Sequence, residues 1–193
     1  MSVTRLKIAV FLLGLYPLTR LLVFAATDNL GANPIEFITR STGTWTLVGL
    51  MLTLTVTPLR KITGWNSLLR IRRMLGLFSF FYACLHFTTY IWLDQFFDLG
   101  AIIHDVYKRP FITVGFSAFI LLIPLALTSS NAMIRRLGAK RWQQLHKLVY
   151  LIAILGVLHY VWLVKKDLTQ PLIYAGVLTL LLGWRIANHL KAK

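Results

Sequence analysis

Six stretches of nearly unbroken hydrocarbon side chains, separated by short polar connections, set the pattern of this chain; they run roughly over 8–26, 44–58, 74–93, 111–128, 145–164 and 171–187. An α-helix rises about 1.5 Å per residue, and about 20 apolar residues carry it across a hydrocarbon core of about 30 Å. The runs approach that length, the second and last being the shortest. Lipid offers a backbone no water to bond, so such runs must be helices or strands of a closed barrel, and these have helical lengths. The pattern predicts an all-α integral membrane protein, a six-transmembrane-helix bundle forming one domain over 1–193. Composition agrees, since 57% of residues are hydrophobic and the mean hydropathy is +0.68, too apolar for an ordinary soluble domain.

The polar connections carry charge asymmetrically. Arg60, Lys61, Arg70, Arg72 and Arg73 cluster in one, Arg135, Arg136, Lys140, Arg141 and Lys147 in another, and both termini are basic. All six acidic residues (Asp28, Glu36, Asp94, Asp98, Asp105 and Asp167) fall in the three opposite connections. By the positive-inside rule the basic face, with the N- and C-termini, is expected to be cytoplasmic. A formal net charge of +15 would suit nucleic acid, but these cations sit in short loops between spans, where topology and anionic membrane lipid account for them. Trp45, Trp92 and Trp162 fall near the expected outer ends of spans and Trp65, Trp142 and Trp184 near the inner ends, as interfacial belts do. Arg5 and Lys7 ahead of an apolar run also resemble a signal peptide, but the run is long for one and five more spans follow.

No repeat, low-complexity linker or second domain interrupts the six runs. The connections are long enough for a surface turn or short helix only. Gly14, Gly43, Gly49, Gly76, Gly115 and Gly156 are isolated within or beside spans, a pattern of close helix packing rather than of a nucleotide-binding loop. The single cysteine, Cys84, precludes an intrachain disulfide and reads as a small buried hydrophobe; the absence of Cys-x-x-Cys-His excludes covalently attached haem.

Three of the five histidines, His86, His146 and His159, lie in or at the rim of apolar runs. An ionisable residue within a span is a candidate functional site, and neutral imidazole is the commonest protein ligand for metals. His146 and His159 are 13 residues apart on the fifth run, which separates them by roughly 20 Å along the axis. The third run crosses in the same direction, and His86 lies 13 residues past Arg73 and 14 past Arg72, reaching about the depth of His159. Two imidazoles at one depth on different helices suit the axial positions of a six-coordinate haem. Zinc needs further ligands, and no acidic residue lies in a span to supply one. Thirteen residues at about 100° each leave His159 roughly 140° from the face of His146, so helix tilt, supercoiling or a local irregularity must make up the difference. At the inner depth His146 has Arg72 and Arg73 opposite it, which suit propionates but not iron, because guanidinium stays protonated. Arg20 reads as snorkelling to the interface, His104 and His189 as solvated, and Pro17 and Pro124 as helix kinks.

Arg72-Arg73-Met74-Leu75-Gly76 leading to His86, then Arg109-Pro110, Thr128-Ser129, Arg141-Trp142-Gln143-Gln144-Leu145-His146, His159-Tyr160 and Gln170-Pro171-Leu172-Ile173-Tyr174-Ala175-Gly176 resemble the MsrQ family, formerly YedZ, nearly end to end. That family belongs to the ferric reductase-like transmembrane domain superfamily. The resemblance implies a haem-binding subunit of a bacterial inner-membrane methionine-sulfoxide reductase system, an electron-transfer subunit rather than the catalytic one. In it, electrons from the quinone pool or a cytoplasmic flavin reductase pass through b-type haem to a periplasmic molybdenum enzyme that repairs oxidised proteins. His86 and His159 would ligate the outer haem and His146 an inner one, with Arg72 and Arg73 as cofactor-binding residues; one or two haems are implied, and FMN is associated with the family. The wider superfamily carries two histidines on each of two helices, whereas here Arg72 stands 14 residues before His86. Its oxidases continue into a flavin and nicotinamide domain, and this chain stops at Lys193. A proton- or metal-coupled transporter and a scaffold docking partners through its basic loops are the alternatives. A transporter would more often show intramembrane acids or repeated halves.

Overall fold

The computed structural model describes residues 3–191, so Met1, Ser2, Ala192 and Lys193 of the expected domain lie outside the described residues. Nine α-helices and no strand are found among them. Helix α1 is Val3–Ala26, α2 Pro34–Thr63, α3 Leu69–Thr89, α4 Leu99–Lys108, α5 Pro110–Leu127, α6 Asn131–Leu137, α7 Ala139–His146, α8 Leu148–Leu163 and α9 Thr169–Leu190. A 3₁₀ turn leads into α3 and a π turn, Tyr90–Asp94, ends it. Six helical stretches are long and apolar enough to cross a membrane: α1, α2, α3 with its two flanking turns, α5, α7 continuing into α8, and α9. This is a multi-pass membrane protein.

The second span is twice the expected 44–58, because polar residues extend it past its apolar centre. The Asn33 side chain caps its start by accepting from the Glu36 amide at 3.2 Å, Pro34 occupies the first turn, and Glu36 pairs with Arg40 at 2.7 Å. It ends at Gly64, whose φ of 71° gives the left-handed cap and whose amide donates to Arg60 at 2.9 Å. In the connection before α9, Thr169 donates to Asp167 and holds that carboxyl below the usual carboxylate range.

Helices α2, α3, α5 and α8 form a ring in which each packs on the next, leaving α3 and α8 diagonal to one another; α1 lies outside α3, and α9 outside α2 and α8. Small residues set the closest approaches. A Cβ on Gly49 would lie 2.9 Å from that of Ser79, whose hydroxyl donates to the Thr46 carbonyl at 2.9 Å, so α2 and α3 meet nearly backbone to backbone. Leu47, Leu50, Leu54, Leu122, Ile152 and Val157 fill the centre. Hydroxyls within spans bond back to the preceding turn, as Thr53 does to Gly49 at 2.7 Å and Thr55 to Met51 at 2.8 Å, which removes the cost of placing them in hydrocarbon.

Two prolines inside spans are each answered from another helix. In α1, next to Pro17, the Tyr82 hydroxyl inserts into the helical ladder, donating to the Gly14 carbonyl at 2.7 Å and accepting from the Leu18 amide at 3.2 Å. In α2, Pro58 has no N–H for the carbonyl of Leu54, four residues earlier. Arg185 of α9 supplies the missing donor: its guanidinium bonds the Leu54 carbonyl, bonds Leu181 at 2.7 Å and lies over the Tyr150 ring at 5.4 Å. Replacing Arg185 by leucine should therefore cost about 1–3 kcal/mol by stranding a buried acceptor. In a Pro58→Ala background the restored amide takes that carbonyl, and the same replacement should cost clearly less. Thermal unfolding in detergent measures both, and equal costs would refute the coupling.

Candidate functional site: an imidazole pair on the bundle axis

His86 and His159 project from the two diagonal helices, α3 and α8, to the same level of the ring. Their ring centroids are 6.2 Å apart and their planes 74° from parallel. Each ring is oriented by a backbone carbonyl of a third helix: His86 Nδ1 bonds the Thr39 carbonyl of α2 at 2.9 Å, and His159 Nδ1 bonds the Phe111 carbonyl of α5 at 2.7 Å. A carbonyl only accepts, so both Nδ1 atoms carry the proton and both Nε2 atoms keep their lone pairs. Among the described residues no hydrogen bond engages either Nε2. That is how metal-ligating histidines are held, one nitrogen fixed by an acceptor and the other left to coordinate.

Two glycines make room for the rings. A Cβ on Gly43 would lie 3.0 Å from His86 Cε1, and one on Gly115 only 2.6 Å from His159 Nδ1. Both glycines read from sequence as helix-packing positions; in the fold they are seats for imidazoles, because the helices bearing them also carry the carbonyls that orient the rings. Thr39, whose carbonyl holds His86, has a buried hydroxyl that finds no partner. The Phe111 ring lies 6.3 Å from that of His159; Phe87, next to His86 in sequence, packs on Phe119 at 4.6 Å, and Phe119 stacks on Phe80 at 6.3 Å toward the other end of the bundle.

His146 lies at the other level, where α7 meets α8. At Lys147 the helix tightens, with one amide shared between the carbonyls of Gln143 and Gln144 and an i→i+3 bond from Tyr150. A tightened turn adds about 20° per residue, a fraction of the roughly 140° that the 13-residue spacing leaves between the two faces. The His146 ring stacks on Trp142 at 4.0 Å, and its Nε2 pairs with the Thr128 hydroxyl at 2.9 Å, while Trp142 donates to the Thr128 carbonyl at 2.9 Å. Arg72, Arg73, Trp142 and His146 line one cavity of about 90 Å³, closed on the bundle side by Leu50, Phe80 and Leu122. Arg73 also bonds Asn131 Oδ1 at 2.8 Å. The structure thus brings together the two groups the sequence singled out, a histidine pair at one level of the bundle and a cluster of His146 with Arg72 and Arg73 at the other.

Other polar residues lie apart from these sites. Arg20 covers the Phe24 ring at 4.9 Å, and His104 and His189 are exposed. Asp105, next to His104, is instead buried, held by Arg109 at 3.2 Å and Gln95 at 3.2 Å; no sequence signal distinguished it from the other five acids. Arg185 was equally unmarked, since only the fold shows which carbonyl it reaches. Among the described residues no three His, Cys, Asp or Glu side chains converge on a point.

A helical membrane bundle with two carbonyl-oriented imidazoles facing across its axis is the architecture of a membrane-embedded cofactor protein. The family model described as ferric reductase like transmembrane component matches residues 42–157, which include His86 and His146 and end two residues before His159. The chain is 60% identical to a protein of Herminiimonas arsenicoxydans over 96% of its own length and 86% of that relative, 58% identical to one of Azospira oryzae (98% and 82%), and 53% identical to one of Bordetella pertussis (96% and 91%). Each of these is named protein-methionine-sulfoxide reductase heme-binding subunit MsrQ. The chain belongs to the MsrQ family, within the ferric reductase-like transmembrane proteins.

Proposed function

We propose that this protein holds b-type haem between His86 and His159 and carries electrons across the bacterial inner membrane, from quinol or a flavin reductase on the basic, cytoplasmic face to a periplasmic molybdenum-dependent methionine-sulfoxide reductase. The observation that carries the reading is the ring-to-ring distance. A ligating imidazole nitrogen lies about 2 Å from its metal and the ring centre about 1 Å farther, so two rings on opposite sides of one ion have centres about 6 Å apart. The separation in the structure is 6.2 Å. With only two protein ligands in reach, the ion must bring its other donors with it, as iron in a porphyrin does.

When bound there, haem supplies one-electron transfer. The chain's own residues do the rest. The carbonyls of Thr39 and Phe111 fix the ring tautomers and raise the basicity of the two Nε2 ligands, and the Phe111 ring packs 6.3 Å from that of His159. The unpartnered Thr39 hydroxyl is a donor for a carboxylate such as a propionate. At the inner level the His146 Nε2 is engaged by Thr128, which favours one haem, with Arg72, Arg73 and the cavity as the place where electrons arrive. FMN stays in the reading on the strength of the family resemblance alone. Against the transporter alternative, Glu36, one turn of α2 before Thr39, is exposed and taken up by Arg40 at 2.7 Å.

The test is the visible spectrum of detergent-purified protein before and after dithionite, with a pyridine haemochrome to count haem per chain. A Soret band that shifts on reduction, with b-type haem near one per chain, is the expected result. Two per chain would assign His146 a ligand's role, and a colourless protein made with ample haem would overturn the reading.

A further inference from the structure

A second concavity, of about 720 Å³, opens between α1 and α3 at the basic face of the bundle. Phe11 and Leu15 of α1 and Met74, Leu77, Phe78 and Phe81 of α3 form its walls, and Lys7, Arg70 and Arg73 stand at its mouth. Lys7, Phe11 and Leu15 recur every four residues along one side of α1, so the walled part runs about 12 Å along the helix. Its back is closed by Phe11 against Phe78 at 5.6 Å. None of the chain's six acidic residues lines it, and among the described residues none of the three cations has an ion-pair partner; Arg73 bonds only the neutral Asn131.

We infer that this groove is a binding site for one anionic phospholipid, its phosphate among Lys7, Arg70 and Arg73 and an acyl chain along the phenylalanine wall. Both halves of the groove are needed for that assignment. Uncompensated cations at the mouth select a negative headgroup, whereas a free anion would leave the apolar walls unused. The apolar walls alone would accept any lipid. Arg73 also lines the cavity under His146, so the headgroup adjoins that cavity through one side chain. The site is independent of the haem reading, since neither α1 nor the groove carries an imidazole of the pair.

The experiment compares delipidated protein in detergent given phosphatidylglycerol, phosphatidylcholine or inorganic phosphate, reading retained lipid by native mass spectrometry and the unfolding midpoint. One Lys or Arg beside an anionic lipid is worth about five-fold in affinity, so Lys7→Gln with Arg70→Gln should weaken phosphatidylglycerol retention by about 30-fold and leave phosphatidylcholine retention unchanged. Both side chains are exposed, and circular dichroism checks that the variant folds. A second variant, Leu77→Trp, fills the groove with the charges intact and should also lose the lipid. Equal retention of the two phospholipids, retention unaffected by either variant, or a midpoint shift reproduced by inorganic phosphate alone would overturn the assignment.

Discussion

Purified His86→Ala and His159→Ala proteins should each contain no b-type haem, whereas His146→Ala should keep it. The expectation follows from the 6.2 Å pair. An ion between two rings loses half its protein ligands when either is removed, and nothing else reaches it, because no third His, Cys, Asp or Glu approaches among the described residues. His146 lies 13 residues away along the same chain segment, roughly 20 Å in a helix, and its ring is committed to Trp142 and Thr128. Haem per chain by pyridine haemochrome, with circular dichroism to show that each variant is folded, decides the matter. Full haem in either His86→Ala or His159→Ala would sink the pairing. Loss in His146→Ala alone would move the cofactor to the inner cavity.

The glycine seats should respond in order of their clearance. A methyl on Gly115 would come to 2.6 Å of His159 Nδ1, closer than real contacts allow, and that nitrogen is tied to Phe111 at 2.7 Å. Ring and helix cannot both stay. Gly115→Ala should therefore break the bond that orients His159, and losing such an outer partner costs about 10–100-fold in affinity for the ligated group; Gly115→Val should abolish binding. On Gly43 the methyl meets His86 at 3.0 Å, a contact relieved by a shift of a few tenths of an ångström, so Gly43→Ala should retain most of the haem. Titrating haem into apoprotein measures the three variants. Equal affinities for Gly115→Ala and the unaltered protein would show that His159 does not lodge against α5.

The cluster of Arg72, Arg73 and His146, by contrast, should tolerate conservative change, since the bonds of Arg73 to Asn131 and of His146 to Thr128 lie at the rim of the bundle. Their proposed task is to receive electrons from a donor. The cavity between them lies at the same end of the bundle as the groove between α1 and α3, and both share Arg73.

Much of this was legible from residues alone. Hydropathy is a sum over neighbours in the chain, so the six spans, the segregation of Lys and Arg from Asp and Glu, and the three histidines at two depths followed from the order of residues. The mismatch between a 13-residue spacing and a regular helix is met only in part by the tightened turn at Lys147. Where spans were underestimated, as at both ends of α2, polar residues continue a helix beyond its apolar centre, and hydropathy cannot see helix caps. What only the tertiary structure decided are the pairings between distant residues: which carbonyl holds which imidazole, 47 and 48 residues away, which glycine faces a ring and which a helix, and that Arg185 answers the carbonyl left open by Pro58, 131 residues from its own position. Each depends on how helices rotate and settle against one another. That rotation is set by close packing of small side chains across the whole bundle, and no local window of sequence contains it.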